Sequence, residues 1–231
     1  MKRITIAVTL ALAAAEAAAQ GASPVREDTL AKVVALPEVV VCTVRAGEHS
    51  PVARSTMGRD EIRRVNWGQD TPMALATMPG AYAYSDAGNG IGYSYLSVRG
   101  FSQRRISVLV NGVPLNDPES HEVYWIDHPD LLASTSEGQI QRGVGSAPYG
   151  AAAVGGTENL ESASFGTDRS VRASLAAGSF HTRRAMIEMD SGTLPGGFSY
   201  YGRYSRIETD GYREQSWSRL WSYFFGAGRV F

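Results

Sequence analysis

Ile106-Ser107-Val108-Leu109-Val110 is followed by Asn111-Gly112 and then by Val113-Pro114-Leu115. Two apolar, β-branched runs separated by Asn-Gly predict a β-hairpin, because a two-residue turn that follows the strand twist needs positive φ at both central positions. Working outward, Tyr95 to Gly100 and Gly138 to Arg142 also read as strands, and Asp127 to Leu132 as a short helix. Further upstream, Asp60 to Val65 and Asp70 to Ala76 predict two short helices, each opened by an Asp in N-cap position. The second of these is stopped at Pro79-Gly80. Gly143 to Gly156 is so dense in Gly and Ala that the backbone must turn sharply or approach other backbone there. The middle of the chain is therefore a small mixed α/β unit.

After residue 163 the character changes. Val171 to Gly178, Arg183 to Gly192, Phe198 to Glu208 and Arg219 to Phe231 form four β-rich segments joined by Gly, Pro, Asp and Ser. Phe198, Tyr200, Gly202 and Tyr204 alternate with Ser199, Tyr201, Arg203 and Ser205, and Tyr223, Phe225 and Ala227 with Ser222, Phe224 and Gly226. An aromatic-rich dyad suits the wall of an outer-membrane barrel, and an ordinary antiparallel sandwich suits it equally.

Composition narrows the function classes. Lys and Arg number 22 against 23 Asp and Glu, a net charge of -1, so no bulk positive field favours nucleic acid. Charged residues are sparse at 19%, while 25 Gly and 11 Tyr favour turns and strands. One cysteine, Cys42, excludes an internal disulfide framework and a multi-Cys zinc site. At the N-terminus, Met1-Lys2-Arg3 is basic, Ile4 to Ala15 apolar, and Ala17-Ala18-Ala19 precedes Gln20. That order predicts a Sec-type signal peptide over 1–19 and export. No apolar run after it is long enough for a membrane-spanning helix, so a membrane role requires strands. Residues 20–52 read as a flexible lead-in containing one β-branched stretch, Glu38-Val39-Val40-Val41-Cys42-Thr43-Val44-Arg45. His121-Glu122 and Asp127-His128 lack metalloprotease spacing, and Cys42 with His49 lacks a third orienting group, so the chain reads as non-enzymatic and calls for no metal or cofactor.

Three blocks in order resemble the plug domain of TonB-dependent outer-membrane receptors. Leu96-Ser97-Val98-Arg99-Gly100 with Val108 to Asp117 is similar to the family's "RG … NGVP..D" signature. Gln139-Ile140-Gln141-Arg142-Gly143, Ser146, Tyr149-Gly150, Ala153 and Gly155-Gly156 are similar to its "RGP.S..YG..A.GG" block, and Glu38 to Arg45 to the stretch that opens many plugs. The resemblance covers about residues 37 to 231 and implies a signal peptide, a lead-in with a TonB box, a plug over 53–162, and the start of a β-barrel over 163–231. The implied fold class is mainly β: a small α/β plug plus about four antiparallel strands of an incomplete 22-stranded barrel. A full barrel needs on the order of 450 residues after the plug, so the chain is expected to be the N-terminal part of such a receptor.

The resemblance also implies roles. Glu38, Val39, Val40, Val41, Cys42 and Thr43 are the first candidate for strand addition to a TonB-type energy transducer, and Asp28 to Val34 the second. The alternative for Glu38 to Thr43 is simply the first plug strand. Arg99 and Arg142 are the expected plug-to-barrel lock, and Tyr82, Tyr84, Asp86, Asn89, Tyr93 and Tyr95 the loop facing an extracellular ligand. Gly100, Asn111, Gly112, Pro114, Asp117, Gly143, Gly150, Gly155 and Gly156 are structural. The implied function is energised uptake of a scarce small molecule or metal chelate, a ferric siderophore first, across the outer membrane. Cobalamin, haem and oligosaccharide are lesser options. A soluble periplasmic plug-like module, or a non-functional truncated product, is the other reading. Cys42, Val144 and Glu158 depart from the family pattern, and Glu158 stands where an apolar strand residue is usual. A buried, unpaired carboxylate there costs several kcal/mol unless it takes up a proton or meets a cation.

Overall fold

A computed structural model of the protein describes residues 52–144, 153–163 and 165–229. The signal-peptide region, Glu38 to Thr43, Asp28 to Val34 and Gly150 lie outside the described residues.

The Asn-Gly hairpin forms as its residues dictate. Strand β5 (Ile106–Val110) turns through Asn111 and Gly112, with φ of 51° and 80°, into β6 (Val113–Pro114). Strands β1 (Arg54–Gly58), β7 (Thr135–Arg142) and β8 (Gly156–Ser162) join them in a five-stranded sheet of order β1-β7-β8-β5-β6. The β5–β8 pair is parallel and the others are antiparallel. The remaining elements of this unit are helices α1 (Arg59–Val65) and α2 (Thr71–Leu75) and a three-stranded sheet of β2 (Ala81–Ser85), β3 (Ser94–Val98) and β4 (Phe101–Ser102).

Register decides which side of the large sheet is the core. Ser55, Ile140, Glu158 and Val108 stand opposite one another across four strands, as do Met57, Gly138, Leu160 and Val110. Residues directly opposite share a face, so Met57, Ile140, Leu160 and Val108 project together. With Ile62, Ala74, Leu75, Leu96, Val98, Trp125 and Leu132 they make one buried apolar cluster. The other face is polar and also buried, with Ser107, Gln139, Gln141, Thr157 and Asn159.

Local details differ from the sequence reading. Helix α1 starts from Gly58, with Asp60 and Glu61 in its first turn and Arg63 and Arg64 in its last, the order that suits the helix dipole. Asp70 does cap α2, but its carboxylate accepts from Ser94 Oγ at 2.6 Å and makes no side-chain cap. Helix α2 ends at Leu75, before Pro79-Gly80. Asp127 to Leu132 is two 3-10 turns, Trp125–Asp127 and Leu131–Ser134, separated by Asp130 in left-handed conformation. The tyrosine-rich stretch forms a hairpin, so Tyr82, Tyr84 and Tyr95 lie on strands. A Cβ at Gly155 would lie 2.4 Å from that of Phe101, and one at Gly156 2.6 Å from the Gln141 carbonyl oxygen, so both positions require glycine.

The last four strands, β9 (Ser170–Ala177), β10 (Arg183–Asp190), β11 (Phe198–Thr209) and β12 (Ser218–Arg229), form an antiparallel meander. Burial alternates along β10 and β11. The exposed face carries Val171, Leu175, Ile187, Met189, Phe198, Tyr200, Tyr204, Trp221, Tyr223 and Phe225. On β12 this apolar stripe is bracketed by Arg219 and Arg229, a spacing close to the 9–11 residues of a tilted strand crossing a bilayer. The opposite face, with Arg184, Glu188, Tyr201, Arg203 and Ser205 buried, packs on the α/β unit. The four strands do not close a barrel.

The turn residue Asn111 tests the account of the large sheet. Its amide donates to Ser162 Oγ and accepts from the Ser162 N–H, both at 2.9 Å, pinning the end of β5 to the end of β8. Asn111→Gly is expected to cost about 1–2 kcal/mol by losing these bonds, and Asn111→Ala about 1 kcal/mol more because it must hold positive φ. Urea midpoints of the detergent-solubilised chain measure that order.

Candidate functional site

The contact between the α/β unit and the four strands centres on Asp130. Its carboxylate is fully buried. Arg184 of β10 donates to it in bidentate fashion, Nε to Oδ2 and Nη2 to Oδ1, each at 2.9 Å. Ser205 Oγ of β11 donates to Oδ2, and Asn66 Nδ2 to Oδ1 at 3.3 Å. Arg203 Nη1 lies 3.7 Å from Oδ2, while its Nε donates to Ser134 Oγ. Gly68 makes room for this, since a Cβ there would stand 2.5 Å from Arg184 Cδ. One acid of the α/β unit thus gathers two arginines of the wall.

A second tie has the opposite polarity. Glu188 of β10 lies 3.7 Å from Arg63 Nη2 of α1 and 3.3 Å from Arg172 Nη1 of β9, and accepts from Tyr201 Oη at 3.1 Å. Ion pairs of this kind hold two surfaces in one register and separate without exposing a greasy interface.

The predicted lock residues sit elsewhere. Arg142 donates to Ser55 Oγ at 2.7 Å and to the carbonyls of Pro79 and Arg54 at 3.0 Å, all within the α/β unit. Arg99 is exposed with φ of 51°, its guanidinium near Gly143, and it makes no side-chain hydrogen bond to the four strands among the described residues.

At one end of the sheet the tyrosine hairpin meets the wall loops. Tyr84 and Tyr95 stack at 4.9 Å, Tyr82 and Tyr93 are exposed, and Tyr95 Oη donates to Asp86 at 3.2 Å. Asn89 Nδ2 donates to Thr209 Oγ1 at 3.0 Å, so this side chain is engaged by the wall. A cavity of about 370 Å³ opens between Asp86, Tyr93 and Ile126 on one side and Arg213 and Trp217 on the other. Asp70 anchors the hairpin loop from below: its N–H donates to the Gly90 carbonyl at 2.9 Å, and burial raises its carboxyl to about 6 against the pull of the Ser94 hydroxyl. Asp117 closes an Asx turn, and bonds from the Ser120 N–H and hydroxyl hold its carboxyl below the ordinary value. Gly100, Gly112 and Gly143 all have positive φ, and Pro114 ends β6.

Residues 47–157 match the family model of the TonB-dependent receptor plug domain. They are a TonB-dependent receptor plug domain. No curated protein sequence matches the chain. Among solved structures, it is similar to the ferric citrate transporter FecA in its unliganded form, with a TM-score of 0.63 and 20% identity over 78% of this chain and 29% of that one. The copper transporter OprC gives 0.59 and 19% over 80% and 30%, and the siderophore receptor PiuA from Acinetobacter baumannii 0.53 and 20% over 69% and 21%. The chain therefore spans between about a fifth and a third of the length of these relatives. The likeness is one of fold: a plug followed by barrel-type strands.

Sequence reading missed Asp130, Arg63, Arg184 and Glu188 as plug-to-wall residues. Arg203 was visible only as a charged residue on the polar side of an alternating strand. That polar-side charge was the available signal on the wall, whereas nothing in His128-Pro129-Asp130 marks a left-handed, buried acid. Asp130→Asn keeps the backbone conformation and removes the charge. It is expected to cost about 3–5 kcal/mol, the range for breaking a buried pair from one side. Adding Arg184→Met should recover part of that loss, and a double-mutant cycle on the urea midpoint reads the coupling.

Proposed function

We propose that the plug serves energised uptake of a scarce small molecule or metal chelate, with a ferric siderophore as first candidate, across an outer membrane. The observation that carries this reading is the seat of the plug on the inward face of a sheet whose outward face is an apolar, aromatic stripe between arginines. Such a face belongs against lipid, and a polar, ion-paired inner contact suits a plug that must yield and return. The titles of the similar structures name a siderophore, ferric citrate and copper as cargo of those proteins. The chain's own part is binding and gating, with no bond-making step.

In this reading Glu38 to Thr43 adds as a strand to a TonB-type transducer driven by inner-membrane motor proteins. The tyrosine hairpin with its cavity faces the incoming ligand. Arg99 and Arg142 retain their proposed role as the lock between plug and barrel. The outward apolar face supports membrane insertion over a soluble periplasmic module.

Two measurements test the proposal. Cells carrying or lacking the gene are given iron-55 as ferric citrate, a ferric catecholate and a ferric hydroxamate. Uptake of at least one is expected to need both the gene and the proton-motive force, and equal uptake without the gene overturns the reading. Val40→Pro removes a main-chain donor and restricts its neighbour, so it should lower cross-linking to the transducer's periplasmic domain more than Val40→Ala does. Equal yields contradict strand addition.

A further inference from the structure

Strand β8 is flanked on both sides by other strands, yet it carries polar side chains in a row. Thr157, Glu158 and Asn159 are each no more than 2% exposed. Both Glu158 carboxyl oxygens, Thr157 Oγ1 and Asn159 Oδ1 have no hydrogen-bond partner among the described residues. Glu158 points into the apolar cluster. It stands between Ile140 of β7 and Val108 of β5, with Leu160 next on the same face. The elements covering that face contribute Ile62 from α1, Ala74 and Leu75 from α2, and Leu96 and Val98 from β3, none of which titrates. The charged residues of α1, Arg59, Asp60, Glu61, Arg63 and Arg64, are exposed or half-buried on its other sides. Arg142, on the same sheet face beyond Ile140, spends its guanidinium on Ser55 and the carbonyls of Pro79 and Arg54. On the opposite face, Gln139, Gln141 and Ser107 carry no charge, and the charged Glu137 of β7 and Glu161 of β8 stand opposite each other, half-buried, at the end of the seam.

An isolated carboxylate in such surroundings is far more costly than the neutral acid. We propose that Glu158 is held protonated in the closed plug and makes β8 a proton-controlled seam, along which the sheet opens when the carboxyl ionises. Burial alone raises this carboxyl from 4.5 to about 8, which agrees with the geometry. The sign follows from linkage. Water admitted to β8 lets the group ionise at its ordinary value, so opening releases a proton. Opening is favoured about tenfold per pH unit as pH rises from about 4.5 towards 8, and is insensitive to this group outside that window. The inference rests on the reading of this domain as a plug that yields during uptake, and it names where it yields. A strand with orphaned polar atoms at its centre gives way before one whose polar groups are paired.

Hydrogen exchange of the full chain in detergent tests this, read by mass spectrometry on peptides covering residues 156–162 and corrected for intrinsic exchange. From about pH 5 to about pH 8, the opening constant of this segment should rise close to tenfold per unit. It should be flat in Glu158→Gln and Glu158→Leu, with Glu158→Leu the most protected at every pH. If Glu158→Leu fails to fold, Glu158→Gln still carries the test, because it removes only the titration. At neutral pH the infrared band of a protonated carboxyl should be present in the parent and lost in Glu158→Gln. The same slope in parent and Glu158→Gln, or no protonated carboxyl, overturns the proposal. Neither result bears on the uptake measurements, so the two readings fail separately.

Discussion

A β-strand turns successive side chains to opposite faces, and a strand that meets lipid on one side must hold every polar group on the other. Through their middle the four C-terminal strands follow that constraint, and the outward-facing Arg183, Arg206 and Glu208 lie together at one end of the sheet. Ile187, Tyr204 and Tyr223 share one outward row, while the neighbouring Glu188 and Arg203 point inward. The polar groups gathered inside then need partners, and in a water-poor space they need charged ones. The plug supplies them, with Asp130 for Arg184 and Arg203 and with Arg63 for Glu188. The chemistry of the contact thus follows from the apolar alternation on the other side of the same strands.

Charge pairs of both polarities across one contact have a mechanical consequence. A buried ion pair adds little net stability compared with apolar packing, but it tolerates only its own geometry. The plug is therefore held in one register without being glued to the wall. Its apolar core lies between its own sheet, helices and β2–β3 hairpin, so the plug keeps a cohesive interior of its own. The exception inside that core is Glu158, whose orphaned carboxyl places the weakest point of the sheet on its middle strand.

Much of this architecture is legible in the amino-acid sequence. The Asn111-Gly112 turn, both short helices and all four terminal strands lie where turn chemistry and period-two alternation put them, because those signals are local. Glu158 was visible as an acid where the pattern calls for an apolar residue. Strands β1, β2 and β8 were not read. Ala81 to Ser85 resembles a loop in composition, and Gly156 to Ser162 is polar at most positions, so each becomes a strand only through its neighbours. The plug-to-wall ties were illegible for the same reason: Asp130 meets Arg184 across 54 residues of sequence, and no local pattern announces a partner at that distance.

Site-directed spin labelling along β11 and β12 tests the central claim most directly. With the chain reconstituted in lipid bilayers, labels at positions 200, 204, 221, 223 and 225 should be reached by dissolved oxygen and shielded from a water-soluble nickel relaxant. Labels at 201, 203, 222 and 224 should be shielded from both, giving a period of two along each strand. Uniform access of the nickel reagent to the outward positions would place that face in water and contradict a membrane wall seated on a plug.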